Sequence, residues 1–262
     1  MKSIMSLHNI AFAYDNKAVL NNISLEIPDN CITAIVGQNG SGKSTLLKLM
    51  ARLQLPDSGK IIFKDKHLSS LSNPELAKNI SYLGQFNSLA FDLTVSEILN
   101  LGLRAFNIQN IDDAACYIHE LSKDYGLNKF LNSNISSLSG GQRQLVFLAY
   151  TMLREPSLLL LDEPINHLDI KNQYLFFERL CNLIDKKNIS IVVVMHDLNH
   201  ALKFSDYISV NYNSSIRFGK TADVLRPCLV NQAMSINSEL IDASDSKIFN
   251  YIVNQSKLLN GN

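Results

Sequence analysis

The stretch GQNGSGKST, from Gly37 to Thr45, decides the fold of this chain. It follows an apolar run at 31–36 that predicts a buried strand, and the residues after it have the pattern of a helix. Its glycines let backbone amides turn inward around phosphates, Lys43 supplies a cation for the β- and γ-phosphates, and the Ser44 hydroxyl is a Mg²⁺ ligand. The alternative is a glycine-rich turn without a ligand, which so many fixed positions make improbable. The predicted phosphate-binding residues are Gly37, Asn39, Gly40, Ser41, Gly42, Lys43, Ser44 and Thr45.

Further apolar runs predict an α/β fold with a mostly parallel sheet. The run at 80–83 is predicted to be a buried strand, and the runs at 158–161 and 191–195 are apolar throughout, as expected for central parallel strands covered by helices on both faces. Alternation at 10–14 and 23–27 is typical of half-exposed strands, which predicts an antiparallel β edge.

A mostly helical segment interrupts these strands. We therefore predict one nucleotide-binding core formed by 1–85 and 156–225, with a helical subdomain inserted at 86–155. The residues from 226 to 262 lose motif content and are predicted to form a C-terminal appendage.

Two adjacent acids follow the second apolar run. Asp162 ends the strand, where ligands gather in open α/β sheets, and we expect it to hold the hydration shell of Mg²⁺. Glu163 is the candidate for polarising an attacking water. Two acids after a strand are also common as a helix or turn cap, so this alternative stays open on the two residues alone.

A second glycine motif, Ser139-Gly140-Gly141-Gln142, opens another predicted helix. A serine before two glycines leaves free amides and a hydroxyl at a helix N-terminus, which is again an anion site. The chain is therefore predicted to carry two separate phosphate-binding surfaces. The alternative is an ordinary serine-capped helix.

Together these motifs resemble the nucleotide-binding subunit of ABC transporters, from about Ser6 to about Leu225. The resemblance implies a P-loop, RecA-like core that binds ATP and Mg²⁺ and hydrolyses ATP. It also implies that two copies pair head to tail, with Ser139, Gly140, Gly141 and Gln142 of each closing on the ATP of the other.

The resemblance assigns roles to residues that mean little by themselves. Gln85 is expected to touch the metal and His196 to contact the γ-phosphate, so that Glu163, His196, Lys43 and Gln85 form the catalytic set. Ser44, Gln85 and Asp162 are the expected metal ligands, and Asp169 joins the nucleotide-binding residues. Tyr14 is expected to stack on adenine, although Tyr14 and Phe12 share a strand face and could both pack in the core.

Within this family the chain is similar to the ATPase subunits of importers for iron-siderophores, haem and cobalamin. The similarity rests on LSNPELAKNISYLGQ at 71–85, LTVSEI at 93–98, GQRQLV at 141–146 and DIKNQ at 169–173. It implies transmembrane permease subunits as partners and, indirectly, a substrate-binding protein. The open alternatives are a soluble ABC ATPase working on ribosomes or iron–sulfur assembly, an exporter ATPase, and a regulatory module that binds ATP without turnover.

Composition limits the partners and the compartment. The 24 basic and 24 acidic residues cancel, so no net field attracts nucleic acid, and none is expected as a partner. The four cysteines form no metal-binding or disulfide pattern, which suits a reducing cytosol. No apolar run approaches the ~20 residues that a bilayer requires, and the family resemblance implies a peripheral protein on the cytoplasmic face of the membrane.

Overall fold

A computed structural model of the chain describes residues 2–85, 92–104, 111–166, 168–212, 215–243 and 246–251. The chain forms two compact units, one made of Met1–Ser72 and Ser190–Asn262 and the other of Asn73–Ile189. The second unit includes strands as well as helices, so its bounds differ from those of the predicted subdomain at 86–155. That subdomain stays a prediction.

The described strands are β1 (Ser3–Tyr14), β2 (Lys17–Pro28), β3 (Ile32–Gly37), β4 (Ser58–Phe63), β5 (Lys66–His67), β6 (Ile80–Leu83), β7 (Leu158–Asp162), β8 (Ser190–Val194), β9 (Tyr207–Tyr212), β10 (Ser215–Lys220), β11 (Ser238–Ala243) and β12 (Ser246–Tyr251). The described α-helices are α1 (Lys43–Met50), α2 (Asn73–Asn79), α3 (Val95–Arg104), α4 (Ile111–Asp124), α5 (Gly140–Met152), α6 (Ile170–Lys187), α7 (Leu198–Phe204), α8 (Thr221–Val224) and α9 (Pro227–Met234). Short 3₁₀ helices lie at Leu68–Ser70, Asn128–Phe130 and Ile135–Ser137.

The first unit contains an antiparallel sheet of order β2-β1-β4-β5. β1 and β2 are joined at Asp15 and Asn16, whose φ angles of 45° and 66° suit a two-residue hairpin turn. Both strands bury every second residue over much of their length, which confirms the alternation seen in the sequence. They are longer than the alternating runs at 10–14 and 23–27, because strand pairing extends through polar positions.

The same unit contains the parallel strands that carry the phosphate loop. β3 pairs in parallel with β8 on one side and with β9 on the other, and β10 adds an antiparallel edge to β9. All residues of β3 and β8 are buried, as the apolar runs predicted. Because carboxyl ends of neighbouring parallel strands lie at one edge of a sheet, the loops after β3 and β8 begin close to each other.

The second unit also contains neighbouring parallel strands, β6 and β7. β6 and β7 pair in parallel from Ile80↔Leu158 to Leu83↔Leu161, and β7 is buried throughout. Helices α2 to α6 belong to the same unit, and the buried face of α5 includes Val146, Leu148 and Met152. The residues directly after β6 and β7 therefore start side by side.

The C-terminal part is more ordered than its lack of motifs indicates. After α9, strands β11 and β12 form an antiparallel hairpin. Asn199 of α7 binds this hairpin twice, because its Nδ2 donates to the Phe249 carbonyl at 3.3 Å and its Oδ1 accepts from the Phe249 N–H at 2.6 Å. Within the described ranges, no helix combines the length and the apolar composition needed to cross a membrane.

Candidate active site

The phosphate loop leaves β3 at Gly37 and ends in the first turn of α1. Gly37 has a φ of 155°, and a Cβ added there would lie 2.4 Å from the Asn211 carbonyl oxygen, so glycine is needed for this close backbone approach. The loop turns at Gln38, whose carbonyl accepts from the Ser41 N–H at 3.2 Å. The sequence therefore adopts the tight turn that phosphate binding requires.

Lys43 lies at the centre of this loop. Its side chain is 5% exposed, and its Nζ donates to the carbonyls of Gly37 at 3.0 Å and Gln38 at 2.9 Å. Thr45 is buried and Ser44 half-buried in the first turn of α1, where unpaired helical N–H groups and the helix dipole favour anions. The first unit thus brings the predicted loop residues together between β3 and α1, and their binding of phosphate stays a prediction.

Tyr14 ends β1 in the same unit. Its ring is 41% exposed, whereas Phe12 is 6% exposed, and the two rings meet edge to face with centroids 4.8 Å apart. Phe12 therefore packs in the core and contacts the Tyr14 ring, which is partly exposed. Adenine stacking by Tyr14 stays a prediction, and this exposure is what stacking needs.

His196 follows β8 by two residues and is exposed. The Met195 N–H donates to the Ile35 carbonyl at 3.0 Å, which ties this chain segment to β3 just before the phosphate loop. Asp197 caps α7 by accepting from the N–H groups of Asn199 and His200. The role of His196 at the γ-phosphate remains a prediction.

The second unit brings Gln85, Glu163 and Asn166 together. Gln85 Nε2 donates to Glu163 Oε2 at 2.7 Å, and Asn166 Nδ2 donates to the same oxygen at 2.5 Å. Glu163 is half-buried and has a φ of 50°, a left-handed conformation that costs a non-glycine residue roughly 1–2 kcal/mol. Two amides and an unfavourable backbone conformation thus fix the direction of one carboxylate, as expected of a functional group.

Asp162 lies beside this cluster at the end of β7. It is 3% exposed, and its Oδ2 accepts from the Tyr82 hydroxyl at 3.2 Å. A buried carboxylate is costly unless it is hydrogen-bonded, paired or bound to a metal. The oxygen donors of Asp162, Gln85 and Ser44 are of the type that Mg²⁺ prefers.

The second glycine motif begins α5. The Ser139 hydroxyl accepts from the Gln142 N–H at 3.3 Å, and the Gln142 side chain accepts from the Ser139 N–H at 3.0 Å, which together make a capping box. Ser139 and Gly140 are exposed. The amides of Gly140 and Gly141 belong to the first helical turn, where N–H groups have no partner within the helix. The structure therefore shows a capped helix start, and its binding of phosphate stays a prediction.

Asp169 is the N-cap of α6. Its carboxylate accepts from the Asn172 N–H at 2.8 Å and from Asn172 Nδ2 at 2.9 Å. A Cβ added at Gly141 would lie 3.4 Å from Asn172 Cγ, so Asp169 and the start of α5 share a neighbour. Its predicted contact with nucleotide is not tested, and His167, which precedes it in the motif, lies outside the described residues.

Sequence reasoning missed the partners that orient the carboxylates. Asn166 stands in the Asn166–Asp169 segment, so its position was visible, but nothing in the sequence indicates a bond to Glu163. Tyr82 belongs to the predicted strand at 80–83, and its hydroxyl bond to Asp162 depends on the pairing of β6 with β7. The Tyr82 contact thus comes from the strand register, whereas the Asn166 bond is local, between residues three positions apart after β7.

One unit contains a strand, a GQNGSGKST loop and a helix, and the other contains the hydrogen-bonded acids Asp162 and Glu163; these features define a P-loop protein that binds nucleoside triphosphates. Residues 20–166 match the ABC transporter family. The chain is 31% identical over 242 residues to the iron(3+)-hydroxamate import ATP-binding protein FhuC of Bacillus subtilis, covering 90% of each. It is 32% identical over 249 residues to the hemin import ATP-binding protein HmuV of Shewanella denitrificans, covering 93% of this chain and 98% of that protein.

A solved structure of an ABC transporter in an inward-facing conformation has the same fold. Its TM-score is 0.84 at 24% identity, over 98% of this chain and 100% of that chain. The chain therefore belongs to the ABC transporter family. It is an ATP-binding subunit and an ATPase, which confirms the α/β fold class and the ATP hydrolysis predicted from the sequence.

Proposed function

We propose that this chain drives the import of an iron chelate, such as a ferric siderophore or haem, as the ATPase subunit of an importer. The observation that carries this proposal is its similarity, over about nine-tenths of both chains, to import ATP-binding proteins for iron(3+)-hydroxamate and hemin. Relatives named for petrobactin and ferric enterobactin are also similar. A soluble ABC ATPase or an exporter is not favoured by these relatives.

Mg²⁺ accompanies the ATP in this proposal. The residues that would hold it are Ser44, Gln85 and Asp162, whose oxygen atoms fit its preference, and bound Mg²⁺ would offset charge on the phosphates. Since Mg²⁺ keeps several waters and takes one or two carboxylates besides phosphate oxygens, the single buried carboxylate of Asp162 is sufficient.

Glu163 is the proposed base that polarises the attacking water. The side-chain amides of Gln85 and Asn166 both donate to one of its oxygens, Oε2. These two bonds fix the orientation of the carboxylate and therefore also the position of Oε1. Lys43 and the first turn of α1 bind phosphate, and His196 contacts the γ-phosphate. Phosphoryl transfer requires groups that stabilise the negative charge of the phosphates and groups that orient the proton acceptor. Lys43, α1 and His196 have the first role, and Gln85 and Asn166 have the second.

A second copy of the chain completes the proposed site. The Ser139–Gln142 helix start, whose first two residues are exposed, is an anion-binding surface in addition to the phosphate loop. In the proposed head-to-tail dimer, the helix start of each copy closes on the ATP of the other copy. ATP then acts as part of the interface, and hydrolysis releases it. The dimer works at the cytoplasmic face on permease subunits, which receive the chelate from a substrate-binding protein.

Co-purification tests the partner. The full chain, tagged at native level, is recovered from gently solubilised membranes and its companions are identified by mass spectrometry. We expect a polytopic permease and a chelate-binding protein. Recovery with ribosomes or soluble assembly factors alone would overturn the transporter assignment and leave the ATPase intact.

Uptake of ⁵⁵Fe tests the cargo. Cells lacking the chain are supplied with wild type or with Glu163→Gln, and uptake is measured for hydroxamate and catecholate chelates and for haem. We expect wild type to restore uptake of one chelate class and Glu163→Gln to restore none. If all three enter equally with and without the chain, the iron-chelate assignment is wrong.

A further inference from the structure

The first unit contains a cavity of about 530 Å³ beside the phosphate loop. One part of its lining is Tyr14, the start of β2 from Lys17 to Val19, and the loop from Gln38 to Ser41. Of these residues, the family resemblance assigns Tyr14 and the loop residues from Asn39 to Ser41 to the nucleotide. The remaining lining comes from Tyr212 and from the C-terminal segment, through Gln232, Ala233 and Ser235. Its volume lies within the range of small-molecule pockets.

We call Gln232, Ala233 and Ser235 the C-terminal wall of the cavity, and helix α9 holds these residues in place. Pro227 begins the helix, where a missing N–H has no cost, and Val230 and Ala233 are 1% and 2% exposed. Asn231 and Ser238 exchange two hydrogen bonds, of 3.1 Å from Asn231 Nδ2 to the Ser238 carbonyl and 2.6 Å from Ser238 Oγ to Asn231 Oδ1. The turn after α9 is therefore tied back to the helix.

The wall also bonds directly to the phosphate loop. Gln38 Nε2 donates to Ser235 Oγ at 2.8 Å, across 197 positions in the sequence. Ser235 ends α9 with a φ of 53°, and this left-handed turn places its hydroxyl at the loop. Gln232, one helical turn earlier, is exposed and lines the same cavity as the Tyr14 ring.

We propose that α9 and Ser235 form a wall of the nucleotide pocket and that Gln232 contacts the nucleoside of the bound ATP or ADP. This inference rests on the proposed nucleotide site. The phosphates belong to the loop amides and the start of α1, so the cavity beside Tyr14 is left for the base and the sugar. A glutamine amide offers a donor next to an acceptor, which matches the adjacent donor and acceptor on the edge of adenine.

Binding of MgATP and MgADP to the full chain tests the contact. Displacement of a fluorescent ATP analogue gives dissociation constants for wild type, Gln232→Ala, Gln232→Glu and Ser235→Ala. We expect Gln232→Ala to weaken ATP and ADP by the same factor of about fivefold, the lower end for an amide–base pair because Gln232 is exposed. Gln232→Glu keeps the size and loses the donor, so it also weakens both, and Ser235→Ala weakens both by releasing Gln38 from the wall.

Cys228→Ala is the matched control, since Cys228 is exposed on the same helix and does not line the cavity. Thermal unfolding checks that each variant is folded, which we expect because Gln232 is an exposed helical residue and alanine is a better helix former. If wild type binds both nucleotides and neither Gln232 variant changes either constant, the nucleoside contact is overturned while the ATP site stands. An effect on ATP without one on ADP indicates a γ-phosphate contact and also overturns it. If wild type binds neither nucleotide, the proposed function itself fails.

Discussion

Gln85 donates its side-chain amide to Glu163 at 2.7 Å, and this bond joins the ends of two neighbouring parallel strands. Gln85 follows β6 and Glu163 follows β7, whose last paired residues are Leu83 and Leu161. The strand register therefore determines where the carboxylate lies. It makes Gln85 a positioning residue for Glu163, in addition to its proposed contact with Mg²⁺.

Replacing Gln85 by alanine removes one of the two amides on Glu163 Oε2. We expect kcat for MgATP hydrolysis to fall by a factor of about 10 to 160, because a hydrogen bond to a charged group is worth about 1.5–3 kcal/mol and 1.36 kcal/mol is a factor of ten. Steady-state kinetics measure the effect, and the matched control is Gln54→Ala, a glutamine that is not among the predicted site residues and does not line the cavity beside the phosphate loop. A Gln85→Ala enzyme with wild-type kcat would show that the bond does not direct the base.

Glu163→Gln keeps the size of the side chain and removes its basicity. We expect hydrolysis to fall about 10²–10⁴-fold while ATP binding is retained, since a general base contributes in that range. Because bound ATP is then not consumed, the variant accumulates as an ATP-dependent dimer, which size-exclusion chromatography with light scattering detects. A Glu163→Gln protein that stays monomeric at saturating MgATP would contradict the proposed dimer.

Substitutions at Ser139 separate capping from phosphate binding. Ser139→Ala removes the capping box and is expected to lower the free energy of unfolding by about 1 kcal/mol. Ser139→Asn keeps a good capping acceptor and is expected to restore that stability. If Ser139 also contacts the ATP of the second copy, both variants lose ATPase activity. Normal activity in the stable Asn variant would limit Ser139 to a structural role.

Local motifs account for most of what the sequence predicted. The phosphate loop, the strands at 80–83 and 158–161 and the helix starting at Gly140 are set by neighbouring residues, and the structure has them at or near the predicted positions. The acids at Asp162 and Glu163 could be located because they follow an apolar strand. Their environment could not, because the bonds from Tyr82 and Asn166 depend on side-chain directions that no periodicity encodes.

The C-terminal part shows more clearly which contacts cannot be predicted from the sequence. Its residues carry no motif, yet Ser235 bonds to Gln38 and Phe249 bonds to Asn199. Both are contacts between positions far apart in the sequence, and the second depends on a backbone hydrogen bond that any residue could make. Such contacts follow from packing of α9 and the hairpin, so the sequence indicated only an appendage of unknown purpose.

The cysteines are expected to differ in reactivity. Burial raises the pKa of the Cys31 thiol from about 9 to about 12, with a further contribution from Asp206, whereas Cys116 and Cys228 are exposed. Since the thiolate is the reactive form, a maleimide at pH 8 should label Cys116 and Cys228 in the native protein and Cys31 only after unfolding. Mass spectrometry of the digested protein identifies the labelled positions, and rapid native labelling of Cys31 would disprove its burial.

The same shift has a consequence for stability at high pH. The folded-state pKa of Cys31 is raised above the unfolded value, so its neutral form stabilises the fold below a pH of about 9. As the pH rises toward 12, the unfolded state loses this proton first and the stability is lost. Denaturant titrations at pH 8 and pH 10.5 should therefore differ less for Cys31→Ala than for wild type.

Alanine at Gly37 and at Gly40 should have unequal costs. Both glycines have positive φ, 155° and 80°, but a Cβ at Gly37 would lie 2.4 Å from the Asn211 carbonyl oxygen, whereas one at Gly40 meets nothing within 4 Å. Gly40→Ala is expected to cost only the left-handed conformation, about 1–2 kcal/mol. Gly37→Ala must also push the loop away from the Asn211 carbonyl, which is expected to lower the free energy of unfolding by a further amount of about 1–3 kcal/mol. Urea unfolding without nucleotide measures both, and equal costs would mean that β9 does not constrain the loop at Gly37.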